Sequence, residues 1–528
     1  MLLANDRIEI DARPAPPTPT VLEVVMLGHC PGVAQWQRVA GDTLLLAELA
    51  ALGFARECAR LRELAGGAAA TAADTDLLAL YDLPLPLHSF GQFQALFPSA
   101  FDIDTEYRSV LGGSRAWLPL AVQDFFQNSS GDHKLKLWVI RVDESKYQNA
   151  FLPTPDARMI DPDSLGAFER ALLIRNAGVI ALPDLERLQV PALLEDIPQL
   201  RIDNPEPVFL PCGTATDDGV REWHRRPTAQ PEPLAARDTV VPIVRALARH
   251  RPDMQCLLSV PLASIPGSER PGPAPAFLDS VANVAGVVAD GALVAATRGD
   301  LADAARHLQL LYPYLRGRDR RLGSAVGLVA GTQAVVSQMQ GPWRSIAERP
   351  LPGYALPWPP LSQNEATALR DYPGVTVLLH RANRLVVDDE RMCAPCLPAV
   401  QLRQLTRERR NDDHWRSAEI MRFMGWLRRE LQALGEKMIF DVDPRDPRPQ
   451  IALRDFFTRL YTLGALRGRS VNDAFTLSQF NDGDSSIGFD IEIAPAYPID
   501  RLRITFIQDR HSGESNASIT ASGGASNG

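Results

Sequence analysis

The chain has 528 residues, a length that typically accommodates two or three domains of ~150 residues each. Hydrophobic residues make up 45% and charged residues 23%, an ordinary globular composition that excludes a wholly disordered protein. The formal net charge of −9 argues against a nucleic-acid coat and against a basic membrane binder.

The first twenty residues contain no basic segment followed by an apolar one, so they do not resemble a secretory signal. No window reaches the ~20 uninterrupted apolar residues of a membrane span. Six cysteines in a chain of this length do not form a disulfide scaffold. We therefore expect a protein that is made and folded in a reducing cytoplasm, with no direct membrane insertion.

Residues 1–22 are predicted to form an extended arm. Ile8 and Ile10 alternate with Glu9 and Asp11, and the proline-rich stretch that follows blocks a helix. The apolar run Val21 to Leu27 then predicts a buried strand.

Downstream segments alternate between helical and strand patterns. Insertions are predicted at about 42–86, rich in Leu and Ala at helical spacing, and at about 143–236, rich in Pro and charge. Between and after them the patterns predict, in order, a helix from Trp117, a strand at Leu135–Val142, a strand and turn at Asn176–Leu188, a helix at Val240–His250, a strand at Cys256–Leu262, and a helix capped by Asp300 that runs to Leu315.

The C-terminal third has the clearest patterns. Ser362 and Glu365 form a capping-box signature. The predicted elements that follow are two short strands in Val375–Asp389, helices at His414–Leu434 and Ala452–Leu466, strands at Ile487–Ile493 and Leu502–Ile507, and a disordered polar tail over 509–528. The alternation of strands and helices predicts the α/β class, with mixed α+β character.

Two cysteine motifs are candidate catalytic sites. Gly28–Gly32, with Cys30 at its centre, resembles a nucleophile elbow. Pro31 follows the cysteine and has no N–H for an oxyanion hole, so a strand-ending turn is favoured. Cys393 and Cys396 form a CxxC pair without the further ligands of a zinc site, so two cysteines near a turn are favoured. The sequence predicts no cofactor and no metal.

A basic run is the densest charge feature of this acidic chain. Its residues Arg403, Arg407 and Arg410 are compatible with a solvated helix face, or with docking to an acidic partner. A neighbouring basic helix face, Arg416 with Arg422, Arg428 and Arg429, is the alternative docking candidate.

Ordered blocks of the sequence resemble those of the contractile tail sheath family, which includes phage tails, pyocins and extracellular contractile injection systems. The blocks cover roughly two thirds of the chain in family order, and their density is highest in the C-terminal part. They are Ser89–Phe97, Phe125–Asn128, Val139–Val142, Ala181–Asp184, Leu258–Pro261, Gly341–Glu348, Leu361–Arg384, Leu460–Gly468, Ala474–Phe475 and Ile491–Arg503. The segment Val386–Cys393 departs from the family pattern.

The resemblance implies a multi-domain sheath fold. Its parts would be the arm at 1–22, a central α/β region at 23–340, a C-terminal domain at 341–508 and the tail. Strands from neighbouring subunits would complete the C-terminal domain. The residues expected at this subunit interface are Ile8, Ile10, Leu502, Ile504 and Phe506.

The function implied by the resemblance is structural rather than enzymatic. The chain would polymerise helically around an inner tube and contract to drive the tube through a target envelope. Its partners would be copies of itself, the inner tube, and baseplate and tail-terminator proteins, with no nucleic acid; Arg403, Arg407 and Arg410 are the candidate tube contacts. The alternative is a cytoplasmic α/β enzyme that uses Cys30 or the CxxC pair.

Overall fold

A computed structural model describes residues 22–101, 116–128, 134–146, 148–154, 159, 164–187, 202–203, 220–221, 234–263, 271–285, 300–317, 322–353, 355–394, 415–438, 447–481, 486–496, 501–509 and 515–522. These residues fall into two compact units. The larger unit comprises Leu22–Val336 and Arg344–Arg429, and the smaller one contains Ser337–Trp343 and the described part of 430–528. These bounds differ from the predicted domains 23–340 and 341–508, because residues 344–429 pack within the larger unit.

The elements are numbered here in chain order. The described strands are β1 Glu23–His29, β2 Pro84–Leu87, β3 Leu137–Val142, β4 Ala177–Ala181, β5 Ile202–Asp203, β6 Val220–Arg221, β7 Gln255–Ser259, β8 Leu262–Ala263, β9 Gly272–Pro273, β10 Leu308–Tyr312, β11 Tyr314–Arg316, β12 Leu322–Gly323, β13 Leu356–Trp358, β14 Val375–Arg381, β15 Arg384–Val387, β16 Phe475–Asn481, β17 Ser486–Ile493, β18 Arg501–Asp509 and β19 Ser515–Ser522. The described α-helices are α1 Trp36–Gly41, α2 Thr43–Ala51, α3 Ala55–Ala65, α4 Thr75–Leu78, α5 Phe90–Leu96, α6 Leu118–Phe126, α7 Ala167–Leu172, α8 Pro183–Arg187, α9 Ala236–His250, α10 Pro275–Val284, α11 Asp300–Ala305, α12 Val326–Gln340, α13 Gln363–Leu369, α14 Ala418–Met438, α15 Arg448–Thr462 and α16 Val471–Ala474.

The larger unit is organised around an eight-stranded sheet in the order β15-β14-β10-β7-β4-β1-β3-β2. Its six central strands are parallel, and only the two outermost strands, β15 and β2, run antiparallel to their neighbours. The chain passes from β1 to β3 on one side and then to β4 on the other. The strand order therefore reverses between β1 and β4, which is the position where open α/β sheets usually bind ligands.

Both faces of this sheet are buried, as expected for parallel strands covered by helices. Alternate residues of β1 belong to different apolar clusters: Val24 and Met26 to one, Val25 and Leu27 to the other. Helices α2, α3, α6 and α12 contribute to the first cluster, and α7, α9 and α10 to the second. The unit is therefore a three-layer α/β domain, and the prediction of a mixed α/β class is confirmed.

Helices α6 and α12 cross at close range because α12 carries two glycines one turn apart. A Cβ atom at Gly327 would lie 2.2 Å from the carbonyl oxygen of Ala121, and one at Gly331 would lie 2.4 Å from that of Phe125. Thr332 on α12 also donates a 3.2 Å hydrogen bond to the side chain of Asn128, just after α6. Only glycine permits this backbone approach.

Most of the predicted elements are present. The capping box of Ser362 and Glu365 begins α13, and the strand pair in Val375–Asp389 is β14 and β15. Two predictions were wrong. The helix from Asp300 ends at Ala305, because the apolar run that follows is buried on both faces as β10. The tail predicted to be disordered contains β19, which pairs with β18.

The close crossing of α6 and α12 predicts that a substitution that usually stabilises a helix will destabilise this protein. Replacing a helical glycine by alanine normally stabilises by up to ~1 kcal/mol. Gly327→Ala is expected instead to destabilise by about 1–3 kcal/mol, because the methyl group overpacks the crossing. The matched control is Gly41→Ala, where nothing lies within 4 Å of the added Cβ. Urea unfolding measures both, and equal midpoints for the two variants would contradict the crossing.

Candidate strand-exchange interface

The sheet of the smaller unit contains the predicted exchange strand. Its order is β16-β17-β18-β19, with every neighbouring pair antiparallel. Strand β18 is the predicted strand at Leu502–Ile507, extended to Arg501–Asp509. Eight residues of β17 pair with β18, and eight residues of β18 pair with β19. The chain segment predicted to reach a neighbouring subunit is therefore paired within its own chain here.

The three interface residues predicted on this strand occupy alternate register positions. Leu502 pairs with Ile493, Ile504 with Ile491 and Phe506 with Phe489. All three partners on β17 are buried. Residues that face each other across an antiparallel pair share one face of the sheet. The structure thus places the predicted residues at the positions that continue the buried face of β17.

The framework that would receive an exchange strand consists of β16, β17 and helix α15. Leu453, Phe457 and Leu460 form the buried side of α15, and the rings of Phe457 and Phe475 lie 5.4 Å apart. On β17, a Cβ atom at Gly488 would lie 2.3 Å from the ring of Phe480 on β16. The aromatic ring thus covers the glycine, and β16 and β17 are held together by side-chain packing as well as by backbone pairing.

The other predicted interface residues lie outside the described residues. This applies to Ile8 and Ile10 of the arm, and to Arg403, Arg407 and Arg410 of the basic run. Their roles remain predictions.

Two arginines of the alternative basic face, Arg422 and Arg429 on α14, are engaged within the larger unit. The guanidinium of Arg422 is buried and binds both carboxylate oxygens of Glu390, at 2.7 and 3.0 Å. Arg429 donates to the backbone carbonyl of Asp253 at 2.8 Å and to its carboxylate at 3.0 Å. Burial lowers the pKa of Arg428. The sequence shows basic residues at helical spacing, but two of them are used to fix the helix inside the larger unit.

The carboxylate of Glu390 is one of the groups that attach α14 within the larger unit. Besides the two hydrogen bonds from Arg422, its carboxylate accepts the N–H of Ile346 at 2.6 Å, the hydroxyl of Ser345 at 2.9 Å and the amide of Gln333 at 3.0 Å. The side chains of Glu390 and Arg422 are almost completely inaccessible. Despite burial, the Arg422 charge and these donors lower the pKa of Glu390. One carboxylate therefore joins α12, α14 and the segment after β15.

A polar chain connects this centre to the sheet. Gln333 also donates to Gln309 on β10 at 3.2 Å, and Gln309 donates to Thr376 on β14 at 3.1 Å. Gln255 on β7 donates to Gln333 at 3.3 Å. Buried polar networks of this kind specify one arrangement, because each misplaced partner would leave an unsatisfied group. The network thus holds α12 in one position along the three strands β7, β10 and β14.

The second fixation point lies at Asp253, before β7. Its carboxylate binds Arg251 at 2.9 Å as well as Arg429, and these two cations lower its pKa to about 2 against the effect of burial. A Cβ atom at Gly425 would lie 2.1 Å from the carbonyl oxygen of Asp253. The glycine thus brings α14 against this turn. Ion pairs at Arg422 and Arg429 thus hold this part of α14 in the larger unit.

The switch point of the large sheet is filled by the chain itself. The Asp184 carboxylate is fully buried and accepts the backbone N–H groups of His29 at 2.9 Å, and of Trp117 and Leu118 at 2.8 Å. Burial is the main cause of the lowered pKa of His29, whose ring lies 5.1 Å from that of Phe151. Asp184 therefore caps the start of α6 at the position where related topologies would admit a ligand.

The two described cysteines of the enzyme alternative, Cys30 and Cys393, are both buried. Cys30 is fully buried, and burial raises the pKa of its thiol. Burial also raises the pKa of Cys393 to about 12, and its partner Cys396 lies outside the described residues. Since the thiolate is the nucleophile, neither described cysteine is activated for catalysis.

A cavity of about 360 Å³ lies next to the end of β1 and is lined by Gly32–Gln37, Leu78, Ala79, Tyr81 and Arg141. Arg141 binds the carbonyl oxygens of Ala79 and Gly32 and the carboxylate of Glu144, and Tyr81 also donates to Glu144. These polar groups stabilise the loops around the cavity. In the described parts of the chain, no group of three or more residues is placed to hold a metal ion, and no helix is long and apolar enough to cross a membrane.

Several structural centres were not found by sequence reasoning. In the sequence, Asp184 is marked only as part of a resemblance block, and Glu390 lies inside the segment that departs from the family pattern. The only local signal for Glu390 is its place as the last of three consecutive acidic residues, Asp388–Glu390, after a strand. Because its partners Gln333 and Arg422 are distant in sequence, pattern reasoning could not connect them.

No protein-family model and no curated protein sequence matches the chain. Among solved structures, the chain is similar to the helical sheath of the anti-feeding prophage in its contracted state, with 13% identity, 94% of this chain and 97% of that chain covered, and a TM-score of 0.47. It is similar to a sheath tail protein from Desulfitobacterium hafniense, with 8% identity, 95% and 100% covered, and a TM-score of 0.47. A third match is the contracted PVC sheath complex of an extracellular contractile injection system, with 11% identity, 80% and 85% covered, and a TM-score of 0.45.

These matches belong to the family that the ordered sequence blocks resemble. Because the identities and the TM-scores are low, what those assemblies do remains a statement about those proteins. The function of this chain is therefore inferred from its own sequence blocks and strand pairing.

The buried pair of Glu390 and Arg422 predicts a large loss of stability when one charge is removed. Glu390→Gln leaves Arg422 buried without a counter-ion and should destabilise by about 3–5 kcal/mol. Adding Arg422→Met should recover part of this loss. The control is Glu63→Gln, which breaks an exposed pair with Arg60 and should cost less than about 1 kcal/mol. Urea unfolding and hydrogen exchange of residues 418–429 measure the effect; similar losses for Glu390→Gln and Glu63→Gln would contradict it.

Proposed function

We propose that this chain is the structural subunit of a contractile sheath, which polymerises helically around an inner tube and contracts to drive that tube through a target envelope. The observation that carries the proposal is the sheet of the smaller unit. Its third strand, β18, comes from the C-terminal part of the chain and pairs along eight residues with a framework that has its own packing. Such a strand can form the same pairs with the framework of another copy.

Strand exchange explains how rigid subunits could stay linked while they turn. Main-chain hydrogen bonds would supply the affinity, and Leu502, Ile504 and Phe506 would fix the register against β17. Head-to-tail contacts of this kind build open helices when the rotation does not close. The arm with Ile8 and Ile10 would supply a second linking strand.

The larger unit supports a mechanical role rather than a catalytic one. Its switch point is capped by Asp184, and its described cysteines are buried with raised thiol pKa values. Ion pairs at Glu390 and Asp253 hold residues 418–429 of α14 to its core. A subunit that transmits force needs this kind of fixed connection more than an open cleft.

In the proposed sheath, the partners of this chain are other copies of itself, an inner tube, and baseplate and tail-terminator proteins. They would assemble in the bacterial cytoplasm into a phage tail or tail-like particle. For the tube, Arg403, Arg407 and Arg410 remain candidates. Within the described residues of the smaller unit, Arg454 and Arg459 lie exposed on α15, and Arg467 and Arg469 lie exposed in the loop after it. This exposed basic surface is added to the candidates, whereas Arg422 and Arg429 on α14 form ion pairs within the larger unit.

The arm provides a direct test of polymerisation. Deleting Met1–Pro19, or introducing Ile8→Asp with Ile10→Asp, should prevent the purified chain from forming tubes or stacked rings, because the linking strand is lost. The control variant, Thr18→Asp with Thr20→Asp, adds the same charge to the arm without changing the alternating segment. Negative-stain electron microscopy and sedimentation provide the measurement.

Circular dichroism of the same samples would show whether the core remains folded. Normal tubes from the arm-deleted chain would exclude arm exchange, and monomers from the unmodified chain under all conditions would exclude the sheath role.

The tube contact is tested by charge reversal. Arg454→Glu with Arg459→Glu should weaken co-assembly with the inner-tube protein of the same gene cluster and should increase the salt dependence of the remaining binding, because exposed charge contacts are screened by salt. Arg245→Glu with Arg249→Glu on α9 is the matched control, since both residues are exposed in the larger unit. Co-sedimentation at several salt concentrations is the measurement. If both double variants bind the tube alike, the α15 face is only solvated.

A further inference from the structure

Strand β19 covers the outer edge of β18. Eight residues of β18, Arg501–Gln508, pair with Ser515–Ser522 in an antiparallel hairpin. A sheet edge with unpaired backbone groups invites strands from other chains, so a covering strand delays such pairing. In the chain alone, this edge is occupied.

The sequence of β19, SNASITAS, is a weak partner for the strand that it covers. At the three apolar register positions of β18, it places Ala521 opposite Leu502, Ile519 opposite Ile504 and Ala517 opposite Phe506. Serine, asparagine and alanine are depleted in strands or contribute little cross-strand energy. The pairing of β19 therefore rests mainly on backbone hydrogen bonds, which another strand could replace.

The chain contains a second segment with a complementary pattern. Arg501 and Arg503 alternate with Leu502 and Ile504, and β19 places Ser522 and Thr520 opposite these arginines. In the segment Ile8–Asp11, the acidic residues Glu9 and Asp11 alternate with isoleucines. Opposite charges and larger apolar residues at facing positions each strengthen a cross-strand pair. Residues 8–11 of a second copy would thus fit the edge of β18 better than β19 does.

We propose that β19 is an intrachain cover of the assembly edge, which the arm of a second copy displaces when the polymer grows. This inference rests on the proposed sheath function and adds a device to it. Subunits would remain separate until a growing end presents arms in the correct orientation, because displacement must first overcome the hairpin. The covering strand then sets the rate of polymerisation, while the arm sets its final affinity.

Two variants test the cover in opposite directions. Removing residues 510–528 should shorten the lag of polymerisation several-fold and lower the concentration at which tubes appear. Locking the hairpin with Thr505→Cys and Ser518→Cys, which are register partners, should block polymerisation after oxidation and restore it after reduction. Thr505→Cys alone is the control for the oxidation step. Light scattering and electron microscopy follow both.

The outcomes separate the cover from the sheath function. If the arm is required for tubes but the truncated and oxidised locked chains polymerise like the unmodified one, the cover is overturned and the proposed function stands. If the truncated chain fails to polymerise while the unmodified chain does, β19 is a structural strand and the proposal is also overturned. If neither the unmodified chain nor the truncated chain forms tubes, the proposed sheath function is overturned. The proposed role of β19 as a cover is then overturned with it.

Discussion

The buried carboxylate of Glu390 is the constraint on which the larger unit depends. A charge in an apolar interior is tolerated only when it is fully paired, and here five donors from three parts of the chain converge on it. Through Arg422 it fixes α14, and through Gln333 it fixes α12 on the sheet. Since α12 in turn crosses α6 through glycines, the position of one carboxylate is linked to the helix whose start Asp184 caps at the switch point.

The sequence was sufficient for elements whose signal is local. The capping box at Ser362, the helix after Trp117 and the strand containing Leu502 could all be found from spacing and residue type. The sequence predicts part of a helix where the structure has strand β10, because Leu308–Tyr312 is buried on both faces and lacks alternation. For short apolar runs, the burial that distinguishes a strand from a helix comes from the rest of the fold.

The candidate sites could be predicted from sequence less completely than the fold. Spacing correctly grouped the arginines of α14 on a helix, but it could not show that Arg422 and Arg429 face acidic partners that come from distant parts of the chain. The basic face of α15 carries the same kind of signal and differs only in being exposed. Charge patterns in sequence thus indicate that arginines have a role, whereas burial decides whether that role is internal or at a surface.

The two edges of the large sheet are closed in ways that differ from the edge of β18. Strand β2 places Pro84 and Pro86 in its ladder, and proline has no N–H to offer a further strand. At the other edge, Ala347 and Pro350 form bridges to β15. In the proposed sheath, subunits would therefore pair through the backbone of the smaller sheet, once β19 leaves the edge of β18, and not through that of the larger one. The number of binding points per molecule is then small and fixed, which favours an ordered filament over an amorphous aggregate.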